Sequence, residues 1–297
     1  MDTDLLLQLV INAVMIGTIY VLVGLGLTLI FSIMNVVNFA HGEMYMLGGF
    51  LSYFVFFRFF VEQLHVWIYL AYFLTLVLSV LFLGAFGFVI EKVIFRPFRG
   101  DLLAGLMVSL GLSMVLQMGS ALSFGVKDMD VPSVFEGVLQ VLGASISKER
   151  VVIIFLAVLI FLGLHLFIQR TRFGLAMRAV AQNKEAAQLQ GMNFATISSL
   201  GFAVGCALAG VAGVLIVPVA FVSPFVGSGY LMKAFIIIIV GGMGSIPGCI
   251  LAGLLLGLIE SFGSFYFSLH AAALISFAMI IAILILRPQG LMGRVEK

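Results

Sequence analysis

Nine apolar runs separated by short polar breaks divide the chain, near residues 5–30, 43–61, 66–90, 102–122, 151–168, 194–217, 231–243, 249–268 and 270–286. Most approach or exceed the roughly 20 residues that an α-helix needs to cross about 30 Å of hydrocarbon. The runs are apolar on all sides rather than alternating, which predicts membrane helices and excludes the alternating strands of an outer-membrane barrel. Run 231–243 is too short to span alone, so it is expected to be half of a broken helix or part of a re-entrant element. The pattern predicts an all-α polytopic transmembrane bundle of about eight or nine spans, with broken or re-entrant helices, forming one transmembrane domain over residues 1–297.

Two stretches read as interrupted helices. In LIFSIMNVVNFAHGEMYMLGGFL the break is Asn35, Asn38, His41, Gly42 and Glu43; in FIIIIVGGMGSIPGCILAGLLLGLIE it is Gly241, Gly242, Gly244, Ser245, Pro247 and Gly248. Their similar form at opposite ends of the chain suggests an inverted repeat, an arrangement that tolerates irregular backbone where it is buried or lines water. Helices in lipid associate through close backbone approach, so small residues at four-residue spacing mark contacts. Gly201, Gly205, Ala209 and Gly213 form one such ridge, and Gly253 with Gly257 form a shorter one. In the longest loop, 123–150, alternation around Val134–Leu142 suggests a short hairpin covering helix ends.

Composition agrees with the pattern: 63% of residues are hydrophobic, only 9% are charged, and the mean hydropathy is +1.27, against about a quarter charged in a soluble domain. A net charge of +2 without a run of like charges gives no basis for nucleic-acid binding. Cys206 and Cys249 lie inside apolar stretches and form no spaced framework. The basic residues set the expected orientation. With the amino terminus outside, Lys92, Arg96, Arg99, Arg170, Arg172, Arg178, Lys184, Arg287, Arg294 and Lys297 fall in the cytoplasm, while Arg58, Lys127, Lys148, Arg150 and Lys233 face outward or lie near that interface. Segment 169–193 is thereby expected on the cytoplasmic side and loop 123–150 on the other.

The chain has no G-x-x-x-x-G-K-[ST] phosphate loop, no G-x-G-x-x-G and no hydrolase or zinc-protease signature. Its four histidines are dispersed, so neither a metal nor another cofactor is expected. The ionisable groups inside apolar runs therefore draw attention, because a charge in hydrocarbon requires a partner or water. His41 and Glu43 either line a gated path or cap a helix at the membrane interface, and Glu260 requires water or a neighbouring cation. Lys233 is expected to snorkel to the outer interface.

The most polar internal segment is QRTRFGLAMRAVAQNKEAAQLQGMN, in which Glu185, Ala186, Ala187 and Gly191 fit E-A-A-x-x-x-G. That spacing resembles the signature with which membrane subunits of bacterial ABC importers engage separate ATPases. Small residues permit close approach, Gly191 can end the helix, and Arg178, Lys184 and Glu185 offer rim charges. Together with GLTLIFSIMNVVNFAHGEMYMLGGFL, GGMGSIPGCILAGLLLGLIES and the terminal LRPQGLMG, it makes the chain resemble, nearly end to end, the LivH-type permeases of branched-chain amino-acid ABC importers. The resemblance implies a bacterial inner-membrane subunit paired with a second, related permease, two cytoplasmic ATPases and an extracytoplasmic solute-binding protein. It implies that the chain is not itself an enzyme and that Asn35, Asn38, His41 and Glu43 belong to a path or gate; Glu260, from its place inside a late span, is either a structural hydrogen-bond partner or a contact of that path. The solute stays open among branched-chain or other amino acids, urea and short amides. A stand-alone secondary transporter or channel is the alternative, with Glu260 as its candidate acid; a membrane-embedded enzyme lacks any nucleophile or metal constellation.

Overall fold

The computed structural model describes residues 3–141 and 143–293. Its first helix, α1, is Thr3–Met34; α2, His41–Leu51, continues without interruption as a π-helix through Ser52–Gln63; α3, Ile68–Ile90, runs on to Phe98; and α4 is Leu102–Phe124. A hairpin of β1 (Val138–Val141) and β2 (Ala144–Ser147) follows, then α5 (Lys148–Arg170), α6 (Arg172–Gln182), α7 (Lys184–Leu189), α8 (Phe194–Ile216), α9 (Val226–Gly241), α10 (Ile246–Tyr266) and α11 (Leu269–Leu286). Among the described residues, eight helices are long and apolar enough to cross a membrane, and α9 is the short one expected. The polytopic helical bundle is therefore as the hydropathy implied.

Polar residues at the breaks set the helix starts. Asp101, Asn193, Ser245 and Ser268 each accept a hydrogen bond from a backbone N–H three residues on, at 3.0, 3.3, 3.2 and 3.1 Å, which satisfies donors left open in a first turn. Pro247 occupies the first turn of α10, where its missing N–H costs nothing.

Helices α1 and α8 are buried almost throughout and cross at Gly26 and Gly205, where a Cβ on either would stand 2.6–2.7 Å from the other's carbonyl oxygen. Helix α10 flanks α1 and α3 flanks α8. Helices α3, α4, α5 and α11 turn many large apolar side chains outward, for example Leu81, Met107, Phe155 and Ile285. That surface suits lipid tails or a second apolar chain, not water.

Both α2 and α9 start in the bundle interior, each after an irregular stretch that folds back from the end of a long helix. Residues 35–40 return from α1, and residues 220–225 return from α8. The two helix starts meet: a Cβ at Gly42 would stand 2.1 Å from the Gly227 carbonyl oxygen, and the rings of Tyr45 and Tyr230 stack with centroids 3.8 Å apart. Gly42–Tyr45 and Gly227–Tyr230 occupy the same places in the first turns of their helices. The internal pairing thus joins 35–40 to 220–225, which corrects the expectation that the second break was Gly241–Gly248. That glycine-rich stretch is a tight turn over 242–245 between antiparallel α9 and α10, with Gly242 and Gly244 at φ +97° and +82° and Gly248 backed onto Gly241. A glycine run serves a hairpin turn as well as a broken helix, so composition alone does not separate them.

The long loop also forms a hairpin, slightly later than expected: Val138 pairs with Ser147 and Val141 with Ala144, while Leu142 lies outside the described residues. Buried Glu149 at the start of α5 clamps the loop by accepting from the Ser133 hydroxyl at 2.8 Å and from the Val134 and Phe135 N–H groups at 2.9 and 2.7 Å. Met129 and Val222 exchange two backbone hydrogen bonds, 2.9 and 3.0 Å, tying the loop to the return stretch before α9. At the opposite end, Ile33 of α1 packs with Met177, Val180, Ala187 and Ile197, which places α6 and α7 under the bundle.

Candidate functional site

Segment 171–193 folds as two short helices held against that end. Thr171 makes the corner after α5, donating to the Phe167 carbonyl at 2.7 Å and accepting from the Gly174 N–H at 3.0 Å. Gly174, Met177 and Val180 turn inward at three-residue spacing, so the opposite face of α6 is free. Asn183 starts α7 by accepting from the Ala186 N–H at 2.9 Å. Gly191, at φ +79°, ends it: its N–H bonds to the Gln188 carbonyl and that of Met192 to the Ala187 carbonyl, a Schellman closure.

The sequence-selected residues of this segment divide by direction. Ala187 is buried as an anchor and Gly191 is the stop, whereas Arg178, Glu185 and Ala186 are exposed. Lys184 turns its ammonium over the Phe194 ring, 4.1 Å from the centroid. Beside the exposed polar groups stand Phe173, Leu175 and Leu189, the last 88% exposed. Such apolar side chains on an otherwise polar helix pair mark a contact surface. Asn183→Ala is expected to cost about 1 kcal/mol of local stability, read as faster hydrogen exchange at 184–190 with an unchanged melting temperature; equal exchange rates would show that the cap is unimportant.

Immediately above, a charge pair that sequence reading passed over joins α3 to α8. Glu91 is fully buried and accepts from Arg99 and from the Ser199 hydroxyl, with the Ser198 hydroxyl at 3.4 Å. Arg99 also donates to the Ala195 carbonyl at 3.3 Å and lies over the same Phe194 ring, 5.3 Å from its centroid. The available signal was a carboxylate near the end of an apolar run with an arginine eight residues later.

At the meeting point of α2 and α9, His41 and Glu43 are buried in the bundle interior, which removes the interface-cap reading. His41 Nε2 donates to the carbonyl of Val23, a residue midway along α1, at 3.0 Å; Glu43 accepts from the Ser113 hydroxyl at 2.9 Å; and Asn38 accepts from the Ala40 N–H at 3.0 Å. Asn38 Nδ2, His41 Nδ1 and Glu43 Oε2 are buried without a partner among the described residues. Asn35, with φ +51°, is exposed beyond the end of α1 and is not part of this group.

Glu260 lies in a separate cluster. Lys233 does not snorkel; it pairs with Glu260, which also accepts from the Tyr20 hydroxyl at 2.6 Å. Tyr230 packs edge-on against Tyr20 and continues the stack to Tyr45. Above this cluster, a cleft of about 250 Å³ opens toward the hairpin end.

The model of the family described as branched-chain amino acid transport system / permease component matches residues 9–284. The chain is 36% identical over 298 residues to the high-affinity branched-chain amino acid transport system permease protein LivH of Escherichia coli K12, covering 98% of this chain and 96% of that one. The chain belongs to this permease family. It is also 35% identical over 297 residues to the permease protein BraD of Pseudomonas aeruginosa, with 98% and 96% covered, and 26% identical over 306 residues to a probable LivH of Methanocaldococcus jannaschii, with 95% and 91% covered. No solved structure matches it.

In this multi-pass permease, the blocks that carried the resemblance build the interior. Residues 26–51 supply the lower half of α1 and the start of α2, and residues 241–261 supply the α9–α10 turn and most of α10. The residues of LRPQGLMG close over that turn, with the Leu291 N–H bonded to the Val240 carbonyl at 2.7 Å; Arg294 and Lys297 lie outside the described residues. Gly201 faces Ile33, Gly205 faces Gly26, Gly213 faces the Tyr45 carbonyl, Gly253 faces Val21 and Gly257 faces Ala13 and Gly17, while Ala209 is wholly buried.

Proposed function

We propose that this permease is one membrane subunit of an ATP-driven importer for branched-chain amino acids in a bacterial inner membrane. The carrying observation is the α6–α7 surface, where an E-A-A-x-x-x-G helix exposes Glu185, Ala186 and Leu189 while Ala187 fastens it to α1 and α8. A rigid handle of this kind transmits force only if an external partner grips it. The partners in this reading are two cytoplasmic ATPases at that end, a second related permease along the apolar flank, and a solute-binding protein at the hairpin end, with the amino terminus outside. Asn38, His41, Glu43 and Glu260 then belong to the path or its gate, and movement of α2 against the short helix α9 opens and closes it.

In the importer reconstituted with its partners, Glu185→Lys and Gly191→Pro are expected to reduce ATP-driven leucine uptake at least about tenfold, roughly the effect of losing 1.4 kcal/mol of coupling, with normal membrane insertion. Wild-type uptake in both variants would remove the coupling role. Uptake that follows a proton or sodium gradient and ignores ATP would instead favour a stand-alone transporter, and transport of urea but not leucine would change the solute.

A further inference from the structure

The cleft at the hairpin end divides its chemistry in a way that suits one class of ligand. Arg150, in the first turn of α5, lines it and makes no side-chain hydrogen bond or ion pair among the described residues. An unpaired guanidinium in a half-buried position is expensive unless an anion arrives to share it. Glu260 also lines the cleft; its bonds from Tyr20 and Lys233 both fall on Oε2, so that Oε1 takes none among the described residues. Ile16, Ile19 and Ile216 give the lining its aliphatic part. The cleft volume of about 250 Å³ corresponds, at roughly 30 Å³ per water, to about eight waters, close to the roughly nine non-hydrogen atoms of leucine.

We propose that this cleft receives one zwitterionic amino acid with an aliphatic side chain before it passes the centre of the bundle. Arg150 takes the carboxylate in two parallel N–H···O bonds, Glu260 Oε1 accepts from the ammonium group, and the side chain lies on the isoleucines. A second charge on the side chain would lie against the isoleucines without a partner, so acidic and basic amino acids are disfavoured. The site rests on the importer reading and supplies its solute contact.

The test uses the importer complex carrying Val219→Cys in this chain. Val219 lines the cleft and is 38% exposed, whereas Cys206 and Cys249 are buried, so maleimide incorporated into this chain, read after the subunits are separated, reports position 219. Leucine is expected to slow labelling strongly, while 4-methylpentanoate and isopentylamine, each lacking one of its charges, do not. In the Arg150→Gln background, the leucine concentration giving half protection should rise about tenfold or more, and Arg150→Lys should restore part of the protection. Equal protection by the uncharged-end analogues, no protection by leucine, or full protection in Arg150→Gln would each overturn the site. ATP-driven uptake separates the two readings. Transport without protection rejects the cleft alone, and protection without ATP-driven transport keeps the cleft and rejects the importer.

Discussion

Gly42→Val is expected to yield little or no folded permease. At this position α2 and α9 meet backbone to backbone, and a Cβ would stand 2.1 Å from the Gly227 carbonyl oxygen and 2.8 Å from its carbonyl carbon. Neither neighbour is a flexible side-chain tip, so the helices themselves must separate. Separation would also strain the Tyr45–Tyr230 stack and uncover Glu43, whose carboxylate lies beside Gly227. Overpacking a tight core costs about 1–3 kcal/mol and occasionally more, and a clash between two backbones belongs at or above the upper end. Gly111→Val on α4 is the control, because a Cβ there meets nothing within 4 Å. Purified yield and melting temperature in detergent should collapse for the first variant and change little for the second. Similar melting of both would show that the α2–α9 meeting point does not hold the bundle together.

The second large effect is expected at Glu91. Removing its carboxylate in Glu91→Ala leaves the Arg99 guanidinium and the Ser198 and Ser199 hydroxyls without their common acceptor, at the junction of α3 with α8. Breaking a buried pair from one side costs about 3–5 kcal/mol, because the remaining charge is left uncompensated. The Arg99 side chain is 17% exposed, so some water reaches it and the lower end of that range applies. Glu91→Ala combined with Arg99→Met should recover a large part of the loss, since the desolvation cost disappears with the second charge. Denaturation of Glu91→Ala, Arg99→Met, the double variant and the wild type in detergent gives the cycle. Simple additivity of the two substitutions would mean that the pair contributes no mutual stabilisation.

The spans were legible because hydropathy acts locally: a run of apolar residues meets the requirement of hydrocarbon whatever its neighbours do. The α6–α7 segment was legible for the converse reason, since its polar residues, its Asn183 cap and its Gly191 stop are short-range signals. The partners of the buried charges were much harder to read. Glu260 finds Lys233 because α9 and α10 pack antiparallel about the 242–245 turn, and helix rotation decides which side chains share a level. His41 finds the Val23 carbonyl only because residues 35–40 carry the chain back beside α1. The glycine-rich stretch Gly241–Gly248 points to itself as the second break, whereas the internal pairing uses 220–225, because glycine marks close approach without naming what approaches.

The order of apolar and polar residues was enough by itself to determine a multi-pass helical membrane protein, the positions of its long helices and a polar segment between two of them. Tertiary structure decided that α2 and α9 begin against each other in the interior, that Glu91 and Glu260 each have a cation, and that Arg150 lines a cleft with no ion-pair partner among the described residues. The physical reason is that transfer into lipid is a property of each segment, whereas backbone clearance and charge pairing are properties of two segments at a particular rotation and depth.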